Sequence, residues 1–192
     1  YLGKRLSSIA MEKAGIIKEN VPVITGAKGI PLRIIKEVAS QRKAPLYVLG
    51  KDFSFEKEKE KFMNYRGLKW KIDNLYINLS GDHQFFNTSL ALCALEILEN
   101  YGFVTHESTI RQALSNIEWM GRLETVRERP KIILDGAHNL NGMKVLTEYV
   151  KNSLKGKKVI SIFGVMKDKD FRGMARLLSS WAEDVIITKP SL

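Results

Sequence analysis

An α/β fold assembled in two successive parts is what this sequence predicts, and three observations carry the prediction. Between residues 21 and 50 a short apolar run, an amphipathic stretch and a second apolar run follow one another. After Trp119 the same alternation restarts and continues to Lys189. Between the two parts, NIEWMGRLETVRERP (116–130) shows no clear period and reads as a boundary, so the expected division is 1–118 and 119–192.

Each element has its own reason. The first residues, YLGKRLSSIAMEKAGI, enter in the middle of a helical pattern, which is the expectation for an internal fragment of a longer chain. VPVIT (21–25) reads as a strand, PLRIIKEVASQ (31–41) as a helix with Pro31 suited to its first turn, and PLYVLG (45–50) as a second strand. FEKEKEKF (55–62) interleaves lysines with acids and reads as a solvated surface segment. LKWKI and LYINLS, split by Asp73 and Asn74, suggest an antiparallel hairpin on the edge of the same sheet. Two helices are expected next, 82–99, ended by Asn100 and Gly102, and 107–116, with Thr105 as its cap. KIILD, a helix over 139–152, KKVISIFGV, a helix over 172–181 and DVIITK then give βαβαβ, the opening of a doubly wound parallel sheet.

Composition removes several function classes. The chain has 192 residues, one cysteine and a net charge of +10. No apolar run approaches the roughly 18 residues of a membrane span, and no secretory leader pattern is visible, so the expectation is a cytoplasmic protein without membrane contact. Cys93 lies in the apolar run SLALCALEIL and reads as a buried, inert thiol. The lysines are interleaved with acids rather than gathered in a stripe, which argues against nucleic acid and leaves a mild preference for anionic small molecules.

The sharpest local feature is KIILDGAHNLNG (131–142), where an apolar run stops at Asp135, turns through Gly136 and Ala137, and presents His138 and Asn139 at the start of a helix. Asp and Asn suit turns and caps, so a structural reading is open. The crevice beyond the carboxyl end of a strand in an open α/β sheet is also where such folds bind ligands.

Five stretches, LGKRLSSIAMEKAGIIK, GDHQFFNTSLAL, GRLE, ILDGAHNLNG and FGVMKDKD, occur in the order and approximate spacing of folylpolyglutamate synthase and dihydrofolate synthase, of the muramyl-ligase superfamily. The sequence resembles that family over residues 2 to 170. The resemblance implies the latter part of a P-loop-type central ATPase domain followed by the start of a Rossmann-like C-terminal domain. It implies ATP-dependent joining of L-glutamate to a folate or dihydropteroate carboxylate through an acyl phosphate, with ATP and Mg2+ as cofactors and a monomeric enzyme. The family's glycine-rich phosphate loop and its magnesium-binding glutamate and histidine have no counterpart in the sequence, so this chain alone is expected to be inactive.

The same resemblance assigns residues. Lys13 matches the lysine that carries a carbamate and helps hold magnesium, a chemistry that needs the neutral amine. Asn87 matches the residue that contacts ATP, Arg122 the arginine that reaches the ATP phosphates, Asp135 an ATP-binding aspartate, and His138 the residue beside the phosphate region. Asn139 can cap the helix that starts there. His83 receives no role, and Lys167, Asp168, Lys169 and Asp170 read as loop solvation rather than substrate contacts. A non-catalytic nucleotide-binding module, or a muramyl-type amino-acid ligase, stays open as an alternative.

Overall fold

The computed structural model describes residues 5–189. These fall into two compact units, one formed by residues up to Asn78 together with Gln84–Ile117, the other by Leu79–His83 and everything from Glu118 on.

In the first unit, α1 (Leu6–Ala14) packs on α2 (Gly29–Gln41), and the strands β1 (Val23–Thr25) and β2 (Leu46–Val48) flank α2 in sequence and pair parallel. This is the expected strand-helix-strand unit. Its core consists of Ala10, Ala14, Ile17, Ile34, Ala39 and Ala44, with the alanines Ala10 and Ala14 as the buried residues of α1.

A separate three-stranded antiparallel sheet follows, of β3 (Ser54–Lys59), β4 (Phe62–Arg66) and β5 (Lys71–Tyr76). FEKEKEKF is the solvated surface segment expected, and it is largely strand β3: its charges line an exposed edge, where they discourage pairing with another chain. Lys59 Nζ also lies 4.6 Å from the Phe62 ring centroid. The anticipated hairpin at Asp73 and Asn74 is absent, because both residues sit inside β5. The register shift between Met63 and Tyr65 sets that pair opposite Asn64 in a bulge. Asn74 takes the left-handed φ of 51° that the bulge needs, and its N–H donates to Asn64 Oδ1 at 2.8 Å.

Helix α3 (His83–Leu98) reads FFNTSLALCALEIL after its first two residues, apolar nearly all round, as a helix buried on several faces must be. A single 3-10 turn (Glu99–Tyr101) ends it at Gly102, whose φ is 88°. Helix α4 (Glu107–Asn116) is capped by position at His106 rather than by Thr105, and no side chain bonds there.

The second unit holds β6 (Glu124–Glu128), β7 (Lys131–Leu134), α5 (Leu140–Ser153), β8 (Ile160–Phe163), α6 (Phe171–Leu178) and β9 (Asp184–Ile187). The boundary segment thus contains a strand. β6 pairs antiparallel with β7 around the Arg129–Pro130 corner, and its weak period reflects a strand exposed on most positions. β8 and β9 pair parallel with α6 between them in sequence, whereas β7 pairs antiparallel with β6 and, among the described residues, is not joined to β8 and β9 in the single βαβαβ sheet expected. Met143, Met174 and Leu178 form the buried centre, with Phe163, Leu146 and Trp181 against them. No described helix is long and apolar enough to cross a membrane.

Candidate functional site

The site grows out of the end of β7. Beyond Leu134 the chain turns, and Asp135 ties two turns of the second unit together: Oδ2 accepts from the Leu123 N–H at 3.0 Å and Oδ1 from the Ala137 N–H at 2.9 Å. The Gly136 N–H donates to the Gly121 carbonyl at 2.7 Å, closing the same junction. In the partner turn Gly121 has φ 66° and Leu123 φ 50°, and the Gly121 N–H donates to Glu124 Oε2 at 2.7 Å. Glu124 therefore serves its own turn rather than an ion pair with the neighbouring arginine.

Arg122 projects from this locked turn and is exposed, as is His138 on the other turn. A methyl group on Gly136 would stand 3.4 Å from Arg122 Nη1, so the guanidinium lies along the Gly136 backbone. His138 Nδ1 is 2.9 Å from the Gly136 carbonyl, a contact that orients its ring. Asn139 is the N-cap of α5, accepting from the Gly142 N–H at 2.9 Å, as its sequence position suggests. The first N–H groups of a helix have no partner within it and carry partial positive charge, which favours an anion beside that end. An exposed guanidinium, an imidazole and a helix amino end on one frame form a surface suited to phosphate.

At the end of β8, Lys169 Nζ donates to Asp168 Oδ2 at 2.7 Å, and that bond pulls the exposed Asp168 carboxyl below its ordinary range. Asp170 caps α6 through the Gly173 N–H at 2.9 Å. These side chains serve the loop and the helix end.

The two remaining sequence assignments lie in the first unit. Lys13 is exposed in the last turn of α1. Asn87 is exposed one turn into α3, where its Nδ2 donates to Gln84 Oε1 at 3.1 Å. Among the described residues no three His, Cys, Asp or Glu side chains converge as a metal site. These residues thus do not by themselves constitute a magnesium site.

His83 is given no role by the sequence. It belongs to the second unit, with its Nδ1 buried and without a hydrogen-bond partner. Burial pushes its pKa below the usual histidine range; the charges of Asp135, Asp82 and Glu148 oppose this, and that of Arg122 adds to it. The signal that could have found it is its place at a helix start directly after Gly81 and Asp82.

Residues 121–191 match the Mur ligase, glutamate ligase domain family. The chain is 32% identical over 201 residues to the dihydrofolate synthase/folylpolyglutamate synthase of Bacillus subtilis, covering 96% of this chain and 44% of that protein. The crystal structure of folylpolyglutamate synthase from Thermotoga maritima is 33% identical and superposes with a TM-score of 0.80, covering 95% of this chain and 44% of that one. An FPGS complex with AMPPCP and folate is 30% identical with a TM-score of 0.89, covering 97% of this chain and 47% of its own. The chain thus spans less than half the length of these relatives.

Proposed function

We propose that this chain, whose residues 121–191 match the Mur ligase, glutamate ligase domain family and which aligns with folylpolyglutamate and dihydrofolate synthases along nearly its whole length, is part of an ATP-dependent ligase. The enzyme joins L-glutamate to the carboxylate of a folate or dihydropteroate. The first unit corresponds to the latter part of a central ATPase domain and the second to the start of the glutamate ligase domain.

The observation that carries this reading is the pair of turns pinned by Asp135, which holds Arg122 and His138 on one frame with the amino end of α5. A carboxylate is a poor electrophile. When a carboxylate oxygen takes the γ-phosphoryl group of ATP, ADP leaves and an acyl phosphate forms. The glutamate amine then attacks the acyl carbon, phosphate departs, and the amine gives up a proton. Such a reaction needs fixed cations and dipoles around the phosphoryl group more than a protein nucleophile.

Arg122 supplies a permanent charge with a rigid fork of donors, and the His138 ring, held through Nδ1 against the Gly136 carbonyl, stands on the adjoining turn. Asp135, with each oxygen engaged by one backbone N–H, keeps lone pairs that suit a ribose hydroxyl and not a phosphate. Asn87 offers both a donor and an acceptor to an adenine edge. Lys13 presents an accessible amine whose carbamate would add one anionic ligand for magnesium, the others lying outside the described residues.

The test is ATP-dependent transfer of labelled glutamate to dihydropteroate or tetrahydrofolate by the longest natural polypeptide containing this sequence. Arg122→Ala is expected to lower turnover at least about tenfold, the scale of one lost charge-assisted contact, with stability unchanged. Undiminished ADP release and glutamate transfer in that variant would refute the assignment.

A further inference from the structure

One buried polar group of the second unit is left unused by this chemistry. His83 stands next to the turn that carries Arg122, and Gly81 separates the two: a methyl group on Gly81 would fall 2.7 Å from His83 Cε1 and 2.9 Å from Leu123 Cδ1. The imidazole and the Leu123 side chain thus converge on the space that Gly81 leaves. Leu123 is 3% exposed and holds a left-handed φ of 50°. That conformation is unfavourable for a residue with a Cβ, so it persists only where the surroundings enforce it. Asp135 enforces it through the Leu123 N–H. The packing against Gly81 and His83 is the second restraint.

We propose that His83 is a positioning residue: together with Asp135 it clamps the left-handed turn at Leu123 and so fixes the direction in which Arg122 leaves the chain. The functional part of this rests on Arg122 as the phosphate-binding residue; the clamp does not. The charged groups that act on His83 are Asp82, Arg122, Asp135 and Glu148. Burial and Arg122 favour the uncharged ring, which packs without drawing on Asp135. A protonated ring competes with the Leu123 N–H for the Asp135 carboxylate, and the turn loosens as the pH falls. The clamp is therefore complete at neutral pH and weakens as the pH drops through the lowered His83 pKa.

Nuclear magnetic resonance on the 192-residue chain tests this without any ligand, by following the Leu123 amide and the His83 ring from pH 8 down to about 5, across and below the ordinary histidine range. The amide is expected to titrate with the ring, below the ordinary histidine pKa, and to stay flat in His83→Phe, which keeps the packing and removes the charge. An amide that ignores the ring, or that moves alike in His83→Phe, overturns the clamp. ADP is the probe for the consequence: at neutral pH His83→Ala should bind it about tenfold more weakly and His83→Phe as the parent does. Undiminished ADP binding by His83→Ala would overturn the positioning role. A coupled amide with no ADP binding by the parent chain would instead refute the nucleotide reading and leave the clamp standing.

Discussion

Glu96 in the first unit and Asp135 in the second are both carboxylates that hold a turn by accepting backbone N–H groups, yet their surroundings differ. Glu96 has no exposed surface; its Oε2 accepts from the Lys69 N–H at 2.7 Å, and its Oε1 is buried without a partner. Around it lie Tyr65 and Cys93, equally inaccessible, whose ionisation burial and then the charge of Glu96 oppose. Asp135 is half-buried, and the side chains beside its two turns, Arg122 and His138, face solvent. The same hydrogen-bonding device thus closes a core in one unit and displays charged groups in the other. What separates a structural carboxylate from one that builds a site is the exposure of its neighbours, not its own bonds.

Substitutions can break each side of this contrast, and the largest effect belongs to the closed cluster. A methyl group at Gly67 would overlap Glu96 Oε1 and press on the Tyr65 ring, and neither can move into solvent. Gly67→Ala is expected to cost about 3 kcal/mol by overpacking and loss of the Lys69 bond, read from urea unfolding. Asp135→Ala frees two N–H groups from a partly buried charged acceptor and should cost about 2 kcal/mol. Unlike Gly67→Ala, it should also weaken ADP binding, which a binding titration on both variants would separate.

Asn139→Ala removes the cap of α5 and should cost about 1 kcal/mol, seen as a lowered thermal midpoint. The last effect appears only at alkaline pH. Burial, followed by the charge of Glu96, pushes the Cys93 thiol from an ordinary 9.0 up to about 12. The folded state keeps a proton that the unfolded state releases, so this contribution is full below pH 9.0 and is lost as the pH rises toward 12. Unfolding midpoints across that range should fall less steeply in Cys93→Ala than in the parent.

The sequence made the helices legible because their cues are local: the near-continuous apolar run of α3, the amphipathic period of α2 and the Asn139 cap were all visible in it. The strand β3 was hidden because an edge strand can be charged on nearly every position, and alternating Lys and Glu look the same in a solvated loop. Asp73 and Asn74 signalled a turn but serve a bulge, since both demand the same backbone conformation. At the site, DGAHN and GRLE could be read as separate motifs. That one aspartate bonds across from one to the other, that Leu123 is left-handed and that His83 packs beside it are long-range facts which no local pattern encodes.

On this reading the Asp135-pinned turns form a phosphate-binding surface in the second unit. Its most direct test is an ATP titration of the isotope-labelled chain, followed amide by amide. Shifts are expected to concentrate at Arg122, Leu123, Ala137, His138 and Asn139, and to be lost in Arg122→Ala. Saturating ATP that leaves those amides unmoved, or moves them equally in Arg122→Ala, would contradict it.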